Sequence, residues 1–419
     1  MKQHILTLII SSITLFGHTQ SGTTSLNNTD VLNKLSLKTY GVVNYYNYDW
    51  DTDQDKRNAV DLERFNMYMH YKFNDKISLK TEFEFEHGGT GSTMEFDKFE
   101  EFGEFETETE AGGEVLLEQL NIEFKVKPWF NIRAGRLKLY IGIASKLDLT
   151  PDYFTGFRSL MENTILPLGW YETGIEVFGD LGKAKKWSYK LYAVNGLSST
   201  GFSSGNWIKR GHQKKFEMAN AENIAFAGRL DYNLKNKGWI GISGYYGDSN
   251  GNRPKNDIKD AKGHVSILDF HININKGPIK FRAMALYGQL QNSDIISKAN
   301  LNLSNNLNEK RTPVGSDVLG YYGEIGFDIL SLTPVKTSKL LVFGRYDFYD
   351  TMFKVEDGVF KNPRWERQVI TFGFNFLPIS NVILKTHYSI RQLGLATNNL
   401  EKTVLIGIGY TFKTPTKNN

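Results

Sequence analysis

The residues with most chemical potential in this sequence are charged side chains set two apart. Glu82, Glu84 and Glu86 alternate with Thr81, Phe83 and Phe85. Lys280 and Arg282 alternate with Ile279, Phe281 and Ala283, and Lys385 and Arg391 share a phase set against Leu384, Tyr388 and Ile390. A spacing of two puts such residues on one face of a strand. By that phase the basic face holds Arg64, Lys72, Lys80, Lys125, Lys190, Arg229, Lys280, Arg282, Arg345, Arg367, Lys385 and Arg391. The acidic face holds Glu82, Glu84, Glu86, Glu118, Glu123, Glu172, Glu176, Asp231, Asp269, Glu324, Asp328 and Asp347. The chemistry on offer is electrostatic handling of hydrated ions and dipoles. Covalent catalysis is not expected: no HExxH, GxSxG, P-loop or dinucleotide fingerprint occurs. Asp49, Asp51, Asp53 and Asp55 begin like a calcium loop, but Gln54 and Val60 stand where its Gly and bidentate Glu belong. No metal site and no cofactor is expected. The acidic run MEFDKFEEFGEFETETE reads as a solvated loop.

These side chains need strands to position them, and about sixteen are predicted, an even number within the range of bacterial barrels. They begin near Leu35, Phe65, Ile77, Leu116, Phe130, Tyr171, Trp187, Ile224, Trp239, His264, Ile279, Val318, Leu340, Gln368, Val382 and Thr403. Their connections alternate. Asn74-Asp75, Lys127-Pro128 and Lys276 to Pro278 are short; Gly88 to Gly113, Ile143 to Trp170 and Gln291 to Asp317 are long. Short periplasmic turns and long external loops are the pattern of an outer-membrane barrel, whereas a soluble sandwich has no reason to keep it. Residues 1–19 read as a signal peptide, with Lys2 and His4 before an apolar run from Ile5 to Phe16. A polar segment, 20–33, precedes the barrel at 34–412, and 413–419 form a polar tail. The chain has 419 residues, no Cys and a formal net charge of +4, which does not point to nucleic acid. The predicted fold is all-β, a transmembrane antiparallel barrel in the outer membrane of a Gram-negative cell. Aromatics at strand ends, among them Tyr71, Phe73, Trp129, Trp187, Trp239, Tyr287 and Phe376, are placed to form interfacial girdles. In the last strand, Gly407, Tyr410 and Phe412 fit a signal for the barrel-assembly machinery.

The order of local motifs resembles the phosphate-selective porin O and P family. Glu63-Arg64-Phe65 with the following NMYMHYKFNDKISLKTEFEFEH, NIRAGRLKLYIG from Asn131 to Gly142, WSYKLYAVNG from Trp187 to Gly196, FGRY from Phe343 and TFGFNF from Thr371 carry it. The resemblance implies a sixteen-stranded, usually trimeric porin whose third loop, within Ile143 to Trp170, folds into the lumen. It also implies phosphate selectivity, and here the sequence departs: bases are scattered opposite acids rather than laddered along one path. Acids concentrate in early strands and bases in late ones, so two opposed walls with a field between them are expected. Arg133, Arg136 and Lys138 offer a local anion site.

The expected function is diffusion of small hydrophilic solutes or ions, anions such as phosphate among them, through a water-filled lumen. The expected partners are lipid, lipopolysaccharide, the assembly machinery and two further copies in a homotrimer. The pore-lining candidates are Arg136, Lys138, Arg282, Arg345, Arg367, Lys385, Arg391, Glu82 and Glu84. The competing expectation is a structural or adhesin barrel whose long loops bind a partner.

Overall fold

The computed structural model describes residues 33–88, 93–101, 104–110, 114–167, 169–213, 218–303, 311–335 and 337–414. The expected signal peptide, nearly all of segment 20–33 and the tail after Thr414 lie outside the described residues.

Alternating side chains make strands that bury one face, and here the sheet closes on itself. The strands are β1 (Leu35–Trp50), β2 (Ala59–Lys72), β3 (Ile77–Glu86), β4 (Thr93–Glu101), β5 (Glu104–Glu110), β6 (Glu114–Lys127), β7 (Phe130–Lys138), β8 (Tyr171–Leu181) and β9 (Trp187–Asn195). They continue with β10 (Ile224–Asn233), β11 (Gly238–Asp248), β12 (His264–Lys276), β13 (Ile279–Leu290), β14 (Asp317–Asp328), β15 (Lys339–Lys354), β16 (Glu366–Ile379), β17 (Val382–Leu393) and β18 (Leu400–Lys413). All but β4 and β5 form one closed barrel of 16 strands, in which sequence neighbours pair and β3 pairs with β6. Closure is antiparallel between β1 and β18, with Gly41 opposite Tyr410 and Thr39 opposite Phe412. A closed barrel leaves no unpaired sheet edge, which the hydrocarbon layer demands.

Two details differ from the sequence reading. β2 starts at Ala59, earlier than Phe65, because Ala59 and Val60 pair with Tyr46 and Tyr45 beyond a bulge near Val43. The segment read as a solvated loop between Gly88 and Gly113 carries the β4–β5 hairpin, a separate two-stranded sheet.

The outer face is apolar and uncovered: Leu268, Phe270, Phe372, Phe374, Ile406 and Ile408 are all exposed. Tyr410 and Phe412 are exposed among them, while Gly407 points inward, where a Cβ would strike Asn44 Oδ1. Trp129, Trp187 and Phe73 are exposed at the short-turn end. Trp239 departs from the girdle expectation. Its ring lies 4.1 Å beneath the Lys146 ammonium, which belongs to a loop inside the barrel.

The inner face is of two kinds. Along β9–β16, toward the long loops, it is apolar and buried, with Tyr192, Val194, Ala225, Ala227, Val265, Ile267, Met284, Leu286 and Val318 in one cluster. The loops fold inward onto it: Leu139, Ile143, Met161, Ile165 and Trp170 from one, Phe202 and Trp207 from another. Burying each such large side chain contributes about 1.5–3 kcal/mol. The remaining inner face is mostly polar, apart from a smaller apolar cluster in which Leu341, Phe343, Leu377 and Ile383 meet Phe154 of the first of these loops.

Candidate functional site: the lumen and the loop folded into it

The segment between β7 and β8 leaves the wall at Lys138 and crosses the lumen before returning at Tyr171. Gly142 makes the first bend with φ +73°, and a Cβ there would collide with Glu162. Its N–H donates to Ser243 Oγ (3.0 Å) and Asp269 Oδ2 (3.2 Å), and its carbonyl accepts from Arg229 Nη1 (2.5 Å). The loop thus begins fastened to β10, β11 and β12.

Further along, it reaches the opposite side. Asp148 accepts from Lys138 Nζ (2.6 Å) and Tyr68 Oη (2.7 Å), and it lies 3.1 Å from Arg158. Phe154 stacks on Phe343 of β15 with ring centroids 5.1 Å apart. The carbonyls of Tyr153 and Thr155 each accept from Lys385 Nζ at 2.7 Å. A Cβ on Gly326 would meet Phe154, and one on Gly320 would meet Met161, so the wall is thinned where the loop presses.

A short helix, α1 (Leu160–Ile165), ends the crossing. Ser159 caps it by accepting from the Glu162 N–H (3.3 Å). The Glu162 carboxylate does not reciprocate as in a capping box. It accepts from the N–H groups of Ile143 (2.7 Å) and Ala144 (2.9 Å) and from Tyr322 Oη (3.2 Å), tying both limbs of the loop to β14. Burial pushes its pKa up to about 7 against the help of those N–H donors, with Asp269 adding to the rise and Arg345 opposing it. Asp148 is equally buried, but the ammonium of Lys138 holds its carboxyl below the usual range.

The wall charges are joined in pairs and triads. Arg133 bridges Glu123 (2.6 Å) and Glu176. Lys80 also reaches Glu123 (2.7 Å), and Lys190 reaches Glu176 (2.8 Å). Arg282 meets Glu324 at 2.7 Å; Arg345 lies between Glu324 (3.3 Å) and Asp347 (2.6 Å). Arg391 pairs with Glu401 and lies 5.1 Å over the Trp50 ring. Arg367 stacks on Trp365 (4.6 Å) and Tyr349 (5.7 Å). Glu84 is 3.6 Å from Arg64, and Glu82 accepts from Asn66 (3.0 Å), Gln119 (2.6 Å) and Tyr171 (3.1 Å).

Two expectations are corrected here. The opposed acidic and basic walls do not form, because burial in low dielectric rewards each charge for a neighbour of opposite sign on the adjacent strand. The anion site at Arg133, Arg136 and Lys138 does not form either. Arg136 Nε donates to the Glu118 carbonyl (3.1 Å), and all three cations meet acidic residues, Arg133 at Glu123 and Glu176, Arg136 at Glu118 and Lys138 at Asp148. Sequence reasoning missed Glu162 and Asp148. The Ser159-Leu160-Met161-Glu162 spacing signals the helix start, but not where its carboxylate goes.

No family model matches the chain. An uncharacterized protein of Aquifex aeolicus (strain VF5) is 28% identical over 358 residues, covering 84% of this chain and 75% of its own. Among solved structures, OmpF of Salmonella typhi in complex with daunomycin superposes with a TM-score of 0.54 at 12% identity over 91% of this chain and 99% of that one. The anion-selective porin from Comamonas acidovorans gives 0.53 at 10% over 90% and 100%. The outer-membrane channel DcaP of Acinetobacter baumannii gives 0.53 at 12% over 90% and 96%. At such identity the likeness is one of fold. The protein is an outer-membrane β-barrel. Its closed sheet of 16 strands has the fold of these outer-membrane proteins, and it resides in the outer membrane.

Proposed function

We propose that this barrel is a porin, a passive path for small hydrophilic solutes, narrowed by the loop 139–170. Its main support is the set of charged inner-wall groups that keep contact with solvent. The side chains of Lys80 (37%), Arg391 (23%) and Arg136 (20%) retain that exposure although each has an acidic neighbour. The fold it shares with an anion-selective porin and an outer-membrane channel agrees with this reading. Phosphate is not favoured over other anions, since Arg133, Arg282, Arg345 and Arg391 are each committed to a carboxylate and Lys385 to two carbonyls. We further infer a homotrimer, the assembly that the motif resemblance implies.

The test is purified, heat-modifiable protein in planar bilayers. Stepwise conductance, small because of the crossing loop, is expected, with a reversal potential little changed when phosphate replaces chloride. The competing reading, a structural or adhesin barrel, draws on the apolar core sealed under the long loops. Silence from folded protein would favour it. Mass measurement in mild detergent tests the trimer.

A further inference from the structure

A cavity of about 410 Å³ opens at the short-turn end of the barrel, lined in part by Tyr140 and Lys146 of the crossing loop, Phe178 of β8, Lys190 of β9, and Arg229 and Asp231 of β10. Its charged groups are arranged asymmetrically. Lys146 pairs with Asp231 (3.1 Å) and Lys190 with Glu176 (2.8 Å), yet the side chains of Lys146 and Lys190 are 32% and 26% exposed while those of Asp231 and Glu176 are 5% and 0%. The two lysines are thus the more exposed partners: Glu176 lies behind Lys190, while Asp231 and Asp180 share the lining with Lys146, Lys190 and Arg229. Arg229, though almost fully buried, leaves Nη2 without a hydrogen-bond partner. Burial lowers the pKa of Lys146, Asp231 opposes the fall, and the positive charges of Arg229 and Lys190 add to it, a repulsion that an incoming anion would relieve.

The cavity is not purely ionic. The Lys190 ammonium lies 4.5 Å over the Tyr140 ring and 5.1 Å over the Phe178 ring, so two aromatic rings line the cavity in contact with its cation. A hydrated inorganic ion would make no use of this apolar lining, whereas a flat apolar body would pack against it.

We propose that this cavity binds a small organic carboxylate with a flat apolar body, of benzoate size. The carboxylate lies between Lys146 and Lys190, and the ring packs against Tyr140 and Phe178. The site rests on the reading of the lumen as a solute path, and it names the class of solute. Because Lys146 belongs to the crossing loop, a bound carboxylate competes with Asp231 for it and so touches the element that narrows the path.

The experiment titrates benzoate, inorganic phosphate and benzyl alcohol calorimetrically into folded full-length protein in detergent, with bilayer conductance recorded in parallel. Saturable benzoate binding is expected, at least tenfold tighter than either phosphate or benzyl alcohol. Lys190→Gln and Lys146→Gln should each weaken benzoate at least tenfold, and Lys255→Gln on an outer loop should not. Both cavity variants should fold, because Glu176 keeps Arg133, and Asp231 keeps Arg229 and His271. No saturable benzoate binding by folded wild-type protein, or phosphate binding as tight, overturns the proposal, and the wild-type comparison decides even if a variant misfolds. Binding without conductance leaves the site standing and sinks the solute path; conductance without binding does the reverse.

Discussion

Two arcs of one barrel obey the same hydrogen-bonding rules and treat their inner faces oppositely. Along β9–β16, toward the long loops, inward positions are apolar or small and vanish beneath folded-in loops, with Val265, Val318, Trp207 and Ile296 fully buried. Along β17, β18, β1, β2, β3, β6 and β7 the inward positions include Lys385, Arg391, Glu401, Asn44, Arg64, Glu84, Glu123 and Arg133, held by ion pairs and amides, with fewer apolar residues such as Val42, Ile383 and Leu405 among them. The first arc behaves as a protein core and the second as a wall of paired charges. Barrel closure alone does not make a pore; the residues at alternate positions decide whether loops stay out or pack in. The long connections show the same contrast. Residues 143–170 carry three acids and two bases among many apolar residues, so they can be buried with their charges matched. Thr93–Glu110 carries eight acids and one Lys, a charge no lumen could compensate, and its hairpin pairs only with itself.

The largest effect that would break this contrast comes from the polar arc's neighbour triad. Arg345→Ala leaves Asp347 without its cation, while Glu324 keeps Arg282, at a cost of about 3–5 kcal/mol for an uncompensated buried charge. The heat-modifiable folded fraction should fall sharply, and an unchanged fraction would mean that the triad is not what holds the wall.

Next is the hold on the crossing loop. Glu162 is protonated more readily when docked, at about 7, than its ordinary 4.5, so the docked form binds the extra proton between those values. Docking is therefore strongest at low pH and weakens as pH rises through 7. Protonation leaves the carbonyl oxygen that accepts from Ile143 and Ala144 in place. Conductance should be greater at about pH 8 than at about pH 5, and Glu162→Gln should abolish that dependence. A pH response that survives in Glu162→Gln assigns the control elsewhere.

Smaller effects sharpen the comparison at the outside. Tyr410→Ala or Phe412→Ala removes an exposed apolar group from the final strand and should lower the yield of assembled barrel, while deleting residues 415–419 should not. Equal yields across the three would remove the role assigned to these aromatics. Smallest of all, deleting residues 93–110 should leave the barrel folded and its conductance within about twofold, because that hairpin shares no ladder with it. A collapse of folded protein would show that the hairpin braces the wall.

Much of the barrel was legible from period-two alternation and from the alternation of short and long connections. Strands such as Ile279–Leu290 and Val382–Leu393 begin where the sequence places them. The inner apolar arc was not read, though a signal exists. Near their loop ends, Ile224-Ala225-Phe226-Ala227 and Ala283-Met284-Ala285-Leu286 stop alternating and become apolar on both faces. That is what a strand covered by lipid on one side and protein on the other must look like. The candidate residues all have their strand positions in the sequence, but not their partners. Lys385 turns to the carbonyls of Tyr153 and Thr155, more than two hundred residues earlier in the chain, and no local pattern encodes so distant a contact.

The most direct measurement of the central claim compares single-channel conductance of the wild-type barrel with a variant in which Asp148–Arg158 is replaced by a short Gly-Ser bridge. A polar conduit narrowed by an inward-folded loop predicts discrete openings in both, several-fold larger in the shortened protein. Equal conductance in the two, or silence from both while folded, would contradict it.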